Sequence, residues 1–514
     1  MEPTGVIRPW DLCSLILYFA VTLGIGLWSA KRQKSTEDYF VAGRRIAGWA
    51  IGLSMMGAAI SSVTFLAYPG SAYSGNWSLL VPGLMLPIAA VVAIFLFIPF
   101  YRRARLVSAY EYLEMRFGPW ARVYGCIMWT IHQFFRMGTV LYLLALPIKN
   151  MTGFGIYTII WVTGVSTVIY TVLGGCEAVI WTDVMQTIVL LLGGIICIIV
   201  VFAEVPGGPL SILSQGWANQ KFSLSVSFDW NLVRETFWVL ALYGLFQNLQ
   251  EFACDQTKLQ RYCAAESQKA ARRSVWIGGV GCIPVWMMFM FIGTCLWVYY
   301  QTFPVKLPAG LRSDEVYPFF IMSQLPDGLA GFVVAAVLAA AMSTLSACLN
   351  GVATVLASDI YRRHLAPGRG DQHYLFVARL LTGFAGIFMV ITAVLMSWGN
   401  IDTILAVAFF MYSVVAGGLG GLFFLGFLST RANSQGAAVG ILVALFVTIW
   451  LALSHLGLLP PALSSPTHKF LVNVFSNTIA ITIGYFAAYF FAKPSPEKLA
   501  NLTWWTALNH YDEE

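Results

Sequence analysis

The sequence predicts an all-α integral membrane protein with about thirteen transmembrane helices. Three observations predict it. Of the 514 residues, 58% are hydrophobic and only 11% charged, whereas soluble domains carry about 25% charge. The apolar residues gather in runs of roughly 20, the length that crosses a bilayer. Basic residues cluster in alternate loops between those runs, as orientation in a membrane requires. The formal net charge of +6 therefore reads as topology. No basic stripe is interleaved with aromatics, so nucleic acid is not an expected partner.

The first run, 10–30, has only Arg8 before it and a basic cluster after it. That marks an uncleaved helix, not a signal peptide. Further helices are expected near 46–66, 78–101, 122–148, 154–174, 182–204 and 231–253, then 274–300, 327–358, 373–397, 402–427, 434–455 and 468–492. The segments 205–230 and 301–326 read as longer outside loops. The tail after Lys493 is too short for a soluble output module.

Loop charges test this register. With the N-terminus outside, the cytoplasmic loops carry Lys31, Arg32, Lys34, Arg44 and Arg45; Arg102, Arg103, Arg105 and Arg116; Lys258, Arg261, Lys269, Arg272 and Arg273; and Arg362, Arg363 and Arg369. The opposite loops near 67–77 and 398–401 carry no basic residue. This asymmetry predicts an odd number of crossings and a cytoplasmic C-terminus.

Three features carry chemistry. The second helix reads SMMGAAISSVTF over 54–65, then meets Pro69 and Gly70. Gly57, Ser61, Ser62 and Thr64 are small or hydroxylic, and the proline and glycine are expected to break helix hydrogen bonds. Irregular backbone at membrane depth is tolerated where it lines a cavity, and freed carbonyls suit a hard cation. Small residues also let helices pack closely, and the stretch alone admits both readings. The ninth helix reads AAAMSTLSACLN over 339–350. Ser343, Ser346 and Asn350 share a face, with Thr344 beside them. Two adjacent hydroxyls plus distant carbonyls would give an all-oxygen site suited to a monovalent ion; close packing again is the alternative. Finally, Arg136, Asp183 and Glu251 lie in apolar surroundings. A charge within a span costs several kcal/mol (order of magnitude) unless paired or hydrated. Arg136 with Glu251 could form a structural salt bridge, and Asp183 could cap a helix. No HExxH, GxSxG or phosphate-binding loop is present, so neither an enzyme nor ATP-driven transport is expected.

Several stretches together resemble the sodium:solute symporter family: KRQKSTEDYF at 31–40, SAYEYLEMRF at 108–117, GGCEAVIWTD at 174–183, DQTKLQRY at 255–262 and the serine-rich ninth helix. Within that family the sequence is most similar to bacterial sialic acid symporters, on ISSVTF at 60–65 and on WVYYQ at 297–301 through LPAG at 307–310. The resemblance implies a LeuT-like core of two inverted five-helix repeats. On that pattern 1–45 holds an extra helix and loop, 46–204 the first repeat, 205–230 an outside loop, 231–427 the second repeat, and 428–514 further helices and a cytoplasmic tail. It implies a main sodium site from the carbonyls of Gly57, Ile60 and Ala340 and the hydroxyls of Ser343 and Thr344. Asp183, Ser343 and Ser346 match a second sodium site, although Ala347 stands where that pattern has a serine. Arg136 matches the arginine that holds a substrate carboxylate, and Ser61, Thr64 and Phe246 match other pocket positions. Ala59, Leu79 and Gly83 depart from it, replacing a threonine, a phenylalanine and a glutamine. Glu251 stands where sugar cotransporters have a gating tyrosine.

The resemblance thus implies a symporter in a cell (inner) membrane that takes up sodium with a carboxylate-bearing sugar acid. A neutral sugar or polyol is the alternative cargo, with Arg136 structural. A passive channel or a sensor is the alternative from another class.

Overall fold

In the computed structural model, which describes residues 7–104, 106–224, 227–308, 310–399 and 417–507, every regular element is a helix. Among the described residues, nine helices are long and apolar enough to cross a membrane. They are Pro9–Ala30, Ser78–Arg103, Pro119–Thr152, Ile156–Glu204, Gln268–Thr302, Leu329–Leu365, Asp371–Met396, Ser434–His455 and Lys469–Phe490. A tenth candidate is a bent pair, Gly48–Ala59 with Thr64–Ser74, whose axes meet at 58°. The molecule is an all-helical multi-pass membrane protein.

Two expected helices, 154–174 and 182–204, form one 49-residue element, Ile156–Glu204. At 1.5 Å per residue it is about 74 Å long, enough for two crossings of a hydrocarbon core ~30 Å thick. It is broken at Gly175, where φ is 54° and ψ −148°. Only glycine reaches that conformation freely, and a Cβ there would run into Tyr39.

The Leu329–Leu365 helix is the innermost element. Of its most apolar stretch, 94% is buried, against 28% for Pro9–Ala30. Its run of Ala, Ser and Gly explains this, because small side chains let surrounding backbones approach. Its start is held by Asp11, whose Oδ1 accepts the backbone N–H groups of Gly328 and Gly331 at 2.7 and 2.8 Å. A buried carboxylate at a helix N-terminus satisfies orphan donors and opposes the dipole. Arg8 neutralises it at 2.8 Å.

Several expectations need correction. The break in the second helix lies at Ile60–Ser61, not at Pro69–Gly70, and the helix runs on through Pro69 to Ser74. The reason is local: Ser61 is a strong N-cap residue, and its Oγ accepts from Thr64 N at 3.4 Å. The stretch 67–77 is accordingly mostly helical. The outside segments also contain helices, Gly208–Ala218 and Ser313–Gln324. Of the loop charges, Arg116 and Arg261 are buried and Lys258 is half-buried. Arg116 is 2% exposed and donates to the carbonyls of Gly426 and Ser429 at 3.2 and 2.7 Å. Lys258 and Arg261 lie on a short helix, Gln256–Cys263, and pair with carboxylates inside the bundle. Arg105, and residues 402–416 of the helix expected at 402–427, lie outside the described residues; Leu419–Leu428 is helical.

Gly175→Ala tests the break. It should lower the melting midpoint of detergent-solubilised protein by a strain of about 1–3 kcal/mol. Gly24→Ala, where a Cβ meets nothing within 4 Å, should leave the midpoint unchanged.

Candidate ion and solute sites

The helix break sets up the first site. Gly57 and Ala58 belong to the last turn before it, so their carbonyls stand at an open C-terminal end. The buried face of the Leu329–Leu365 helix faces them. Ser343 Oγ lies 3.0 Å from Gly57 O and 3.2 Å from Ala340 O. Thr344 Oγ1 lies 3.3 Å from Ala58 O and 3.4 Å from Ala340 O. Both hydroxyls are about 1% exposed. Five of these oxygens thus converge where two distant segments touch, and none belongs to a carboxylate. Gly57, Ala340, Ser343 and Thr344 are brought together as expected. Ala58 O joins them through Thr344; Ile60, whose carbonyl was expected among the ion's ligands, is the residue at which the helix breaks.

Asp183 lies deeper and is fully buried. Its Oδ2 accepts from Ser54 Oγ at 2.6 Å and from Arg261 Nη2 at 2.7 Å. Its Oδ1 receives Ser346 Oγ at 3.5 Å, and that hydroxyl also reaches Ser343 O at 3.2 Å. Asp183, Ser343 and Ser346 therefore form one polar chain next to the first site. Asp183 is not a helix cap: it sits within Ile156–Glu204. Arg261 also holds Ser54 at 2.8 Å and the Thr257 carbonyl at 2.8 Å. The sequence offered a signal for Arg261, since it lies within the 255–262 motif, but a loop position hid its burial.

A second polar region surrounds Arg136, on Pro119–Thr152. Arg136, Glu251 and Asp255 line two cavities of 380 and 110 Å³. Ser61 lines the larger and Ala59 the smaller. Glu251 has a cation of its own: Lys258 Nζ lies 2.6 Å from its Oε2, and Gln247 donates to Oε1 at 3.1 Å. Phe246 and Thr64 are half-buried and line neither cavity, and Leu79 packs with Trp77, Leu80 and Met290. Gly83 sits against Trp286; a Cβ there would lie 2.5 Å from two of its ring carbons. Loss of the expected glutamine therefore makes room for an indole, which lines the smaller cavity. Trp286 had no signal in the sequence beyond its place in an apolar run.

Among the described residues no cluster of three His, Cys, Asp or Glu side chains could hold a metal. The oxygen set of the first site matches a hard monovalent ion, whose ligands are carbonyls and hydroxyls, better than a divalent one. A multi-pass helical bundle with an oxygen-lined helix break beside a polar cavity defines an ion-coupled secondary transporter.

Comparison with known proteins gives the family. The model of the sodium:solute symporter family matches residues 39–444. The sodium/sialic acid symporter NanT of Aliivibrio fischeri is 32% identical over 93% of this chain and 92% of its own. SiaT of Proteus mirabilis, also a sodium/sialic acid symporter, is 34% identical over 84% of this chain and 87% of its own. A solved Na+-coupled sialic acid symporter, substrate-bound and outward-open, superposes with a TM-score of 0.87 at 31% identity, covering 95% of this chain and 99% of that one. The nucleobase-cation symporter Mhp1 in a closed conformation shares the fold alone, with a TM-score of 0.59 at 17% identity over 90% of this chain and 97% of its own. The chain belongs to the sodium:solute symporter family. It is a sodium-coupled transporter and not an enzyme.

The Asp183–Arg261 pair yields a test. Arg261→Met should destabilise the protein by about 3–5 kcal/mol, because it leaves a carboxylate buried without its cation. Adding Asp183→Asn should recover most of that loss. Equal, additive losses in thermal melts of the two single variants and the double would contradict the pairing.

Proposed function

We propose that this protein imports a carboxylate-bearing sugar acid of the sialic acid type, driven by sodium moving down its gradient. The observation that carries the reading is Arg136 at the wall of two cavities next to the broken helix. A guanidinium presents a planar fork that matches a carboxylate, and the two bacterial relatives are named for sialic acid. Glu251 has an ion partner in Lys258.

The coupling ion is assigned to the carbonyls of Gly57, Ile60 and Ala340 and the hydroxyls of Ser343 and Thr344, with the Ala58 carbonyl beside them. The negative charge of Asp183 is already matched by Arg261, so Asp183 and Ser346 are assigned to the support of that site. Sodium there would tie the broken helix to the innermost helix. It would thereby hold Ser61, Thr64 and Ala59, on either side of the break, in register for the solute with Phe246, Leu79 and Gly83 close by. Coupling is then reciprocal: solute affinity rises with sodium and sodium affinity with solute.

The chain is placed in a bacterial inner membrane with its N-terminus outside and thirteen crossings. The count takes Ile156–Glu204 as two, the bent pair as one, and adds Phe237–Cys254 and the segment that ends with Leu419–Leu428. The inverted repeats would be 46–204 and 231–427.

Uptake of radiolabelled sialic acid into proteoliposomes tests the reading. An inward sodium gradient should drive accumulation above equilibrium. Arg136→Ala should reduce the initial rate at subsaturating solute by about tenfold or more, the loss of roughly 1.5–3 kcal/mol expected for a charge-assisted bond. Uphill uptake with no sodium gradient would overturn the coupling. Full activity of Arg136→Ala would move the carboxylate elsewhere.

A further inference from the structure

The larger cavity has a wall that the family model does not cover. That model ends at residue 444, and Lys469, Phe470, Val472 and Asn473 line the cavity together with Arg136 and Ser61. In the proposed orientation, the Lys469 end of the Lys469–Phe490 helix is the outer end. The cavity therefore runs from an exposed lysine at the outer mouth to the half-buried arginine beside the helix break.

The wall is built, not incidental. Asn473 Nδ2 donates to Gln247 Oε1 at 3.0 Å, and Asn477 Nδ2 to Gln250 Oε1 at 2.9 Å. Asn477 Oδ1 in turn accepts from Gly421 N at 2.6 Å. These amide rungs clamp the helix to Phe237–Cys254 and Leu419–Leu428. At the mouth, Phe470 stacks on Tyr243 with ring centroids 4.9 Å apart and planes 21° from parallel. Lys469 and Asn473 are four residues apart, on one helix face. The carboxylates lining the same space are engaged elsewhere: Glu251 with Lys258, and Asp255 with Trp129 Nε1 at 3.1 Å, Gln133 Nε2 at 3.3 Å and the Thr257 N–H at 2.9 Å.

We propose that this outer half is a second, preliminary binding site for the anionic solute. Lys469 receives the carboxylate, the Phe470–Tyr243 stack supports the apolar face of the ring, and the Gln247, Gln250 and Asn473 amides meet its hydroxyls before transfer to Arg136. Inner and outer ends together measure 380 Å³, within the roughly 300–1,000 Å³ of ligand pockets, so one small polar solute occupies one end at a time. A cation at the rim of a site acts chiefly on capture and its salt dependence. The inference rests on the carboxylate cargo proposed above.

The test is initial-rate uptake of radiolabelled sialic acid by wild type, Lys469→Gln and Lys469→Arg, at low and high ionic strength and constant sodium. Lys469→Gln should raise KM about three- to tenfold at low ionic strength with kcat retained, and the rise of wild-type KM with salt should flatten. Lys469→Arg should behave as wild type. An unchanged KM and salt slope in Lys469→Gln, with uptake by Arg136→Ala still reduced, would overturn the outer site and leave the cargo assignment standing. A wild type that takes up no sialic acid would overturn the cargo assignment and this site with it. Asn473→Ala provides a second variant: raised KM without change in salt slope agrees with a hydroxyl contact, and an unchanged KM counts against it.

Discussion

The architecture of the site depends on one backbone event, the interruption of a membrane helix between Ile60 and Ser61. A continuous helix would spend the carbonyls of Gly57 and Ala58 on its own next turn. The break leaves them at a helix end, where they face Ser343 and Thr344 at 3.0 and 3.3 Å. Such an end is costly in an apolar medium unless polar partners meet it. The innermost helix supplies those partners, and it can reach them because its small residues let the backbones approach. Site and packing are therefore a single arrangement: the residues that make the helix fit are the ones that put oxygen at the break.

Around that junction the buried charges form a compensated set. Asp11 fixes the start of the innermost helix, and Arg122 holds Asp359 near its other end at 2.5 Å. Arg261 joins Asp183 to Ser54, which precedes the break by one and a half turns. Buried pairs add little net stability, but loss of one member is expensive. Their effect here is to fix register: the broken helix, the Ile156–Glu204 element and the innermost helix are tied through the same side chains. Ions or solutes that act on the break therefore act on all three.

Much of this was legible in the sequence, for reasons that can be named. Spans such as 434–455 were readable because a bilayer demands a fixed length of apolar chain, and the helix there has the same bounds. Ser343, Thr344 and Gly57 were readable because hydroxyls and glycine are anomalous in a lipid-facing helix. The position of the break was not: Pro69 is the stronger formal breaker, yet Ser61 supplies a cap and the proline is absorbed within the helix. Lys258, Arg261 and Arg116 were misplaced because sequence gives charge and not burial, and a buried arginine with carbonyl or carboxylate partners looks the same as one in a loop. Trp286 filling the space beside Gly83 was beyond reach, since a contact between segments so far apart leaves no local pattern.

The central claim is that the oxygens at the break hold the coupling ion. The most direct measurement is the half-saturating sodium concentration for ion binding to purified protein, compared between wild type, Ser343→Ala and Thr344→Val, with melting midpoints to establish folding. Loss of one ligand from so small a set should raise that concentration about tenfold in each variant, the equivalent of ~1.4 kcal/mol. An unchanged half-saturating concentration in a folded Ser343→Ala would contradict the account and place the ion elsewhere in the bundle.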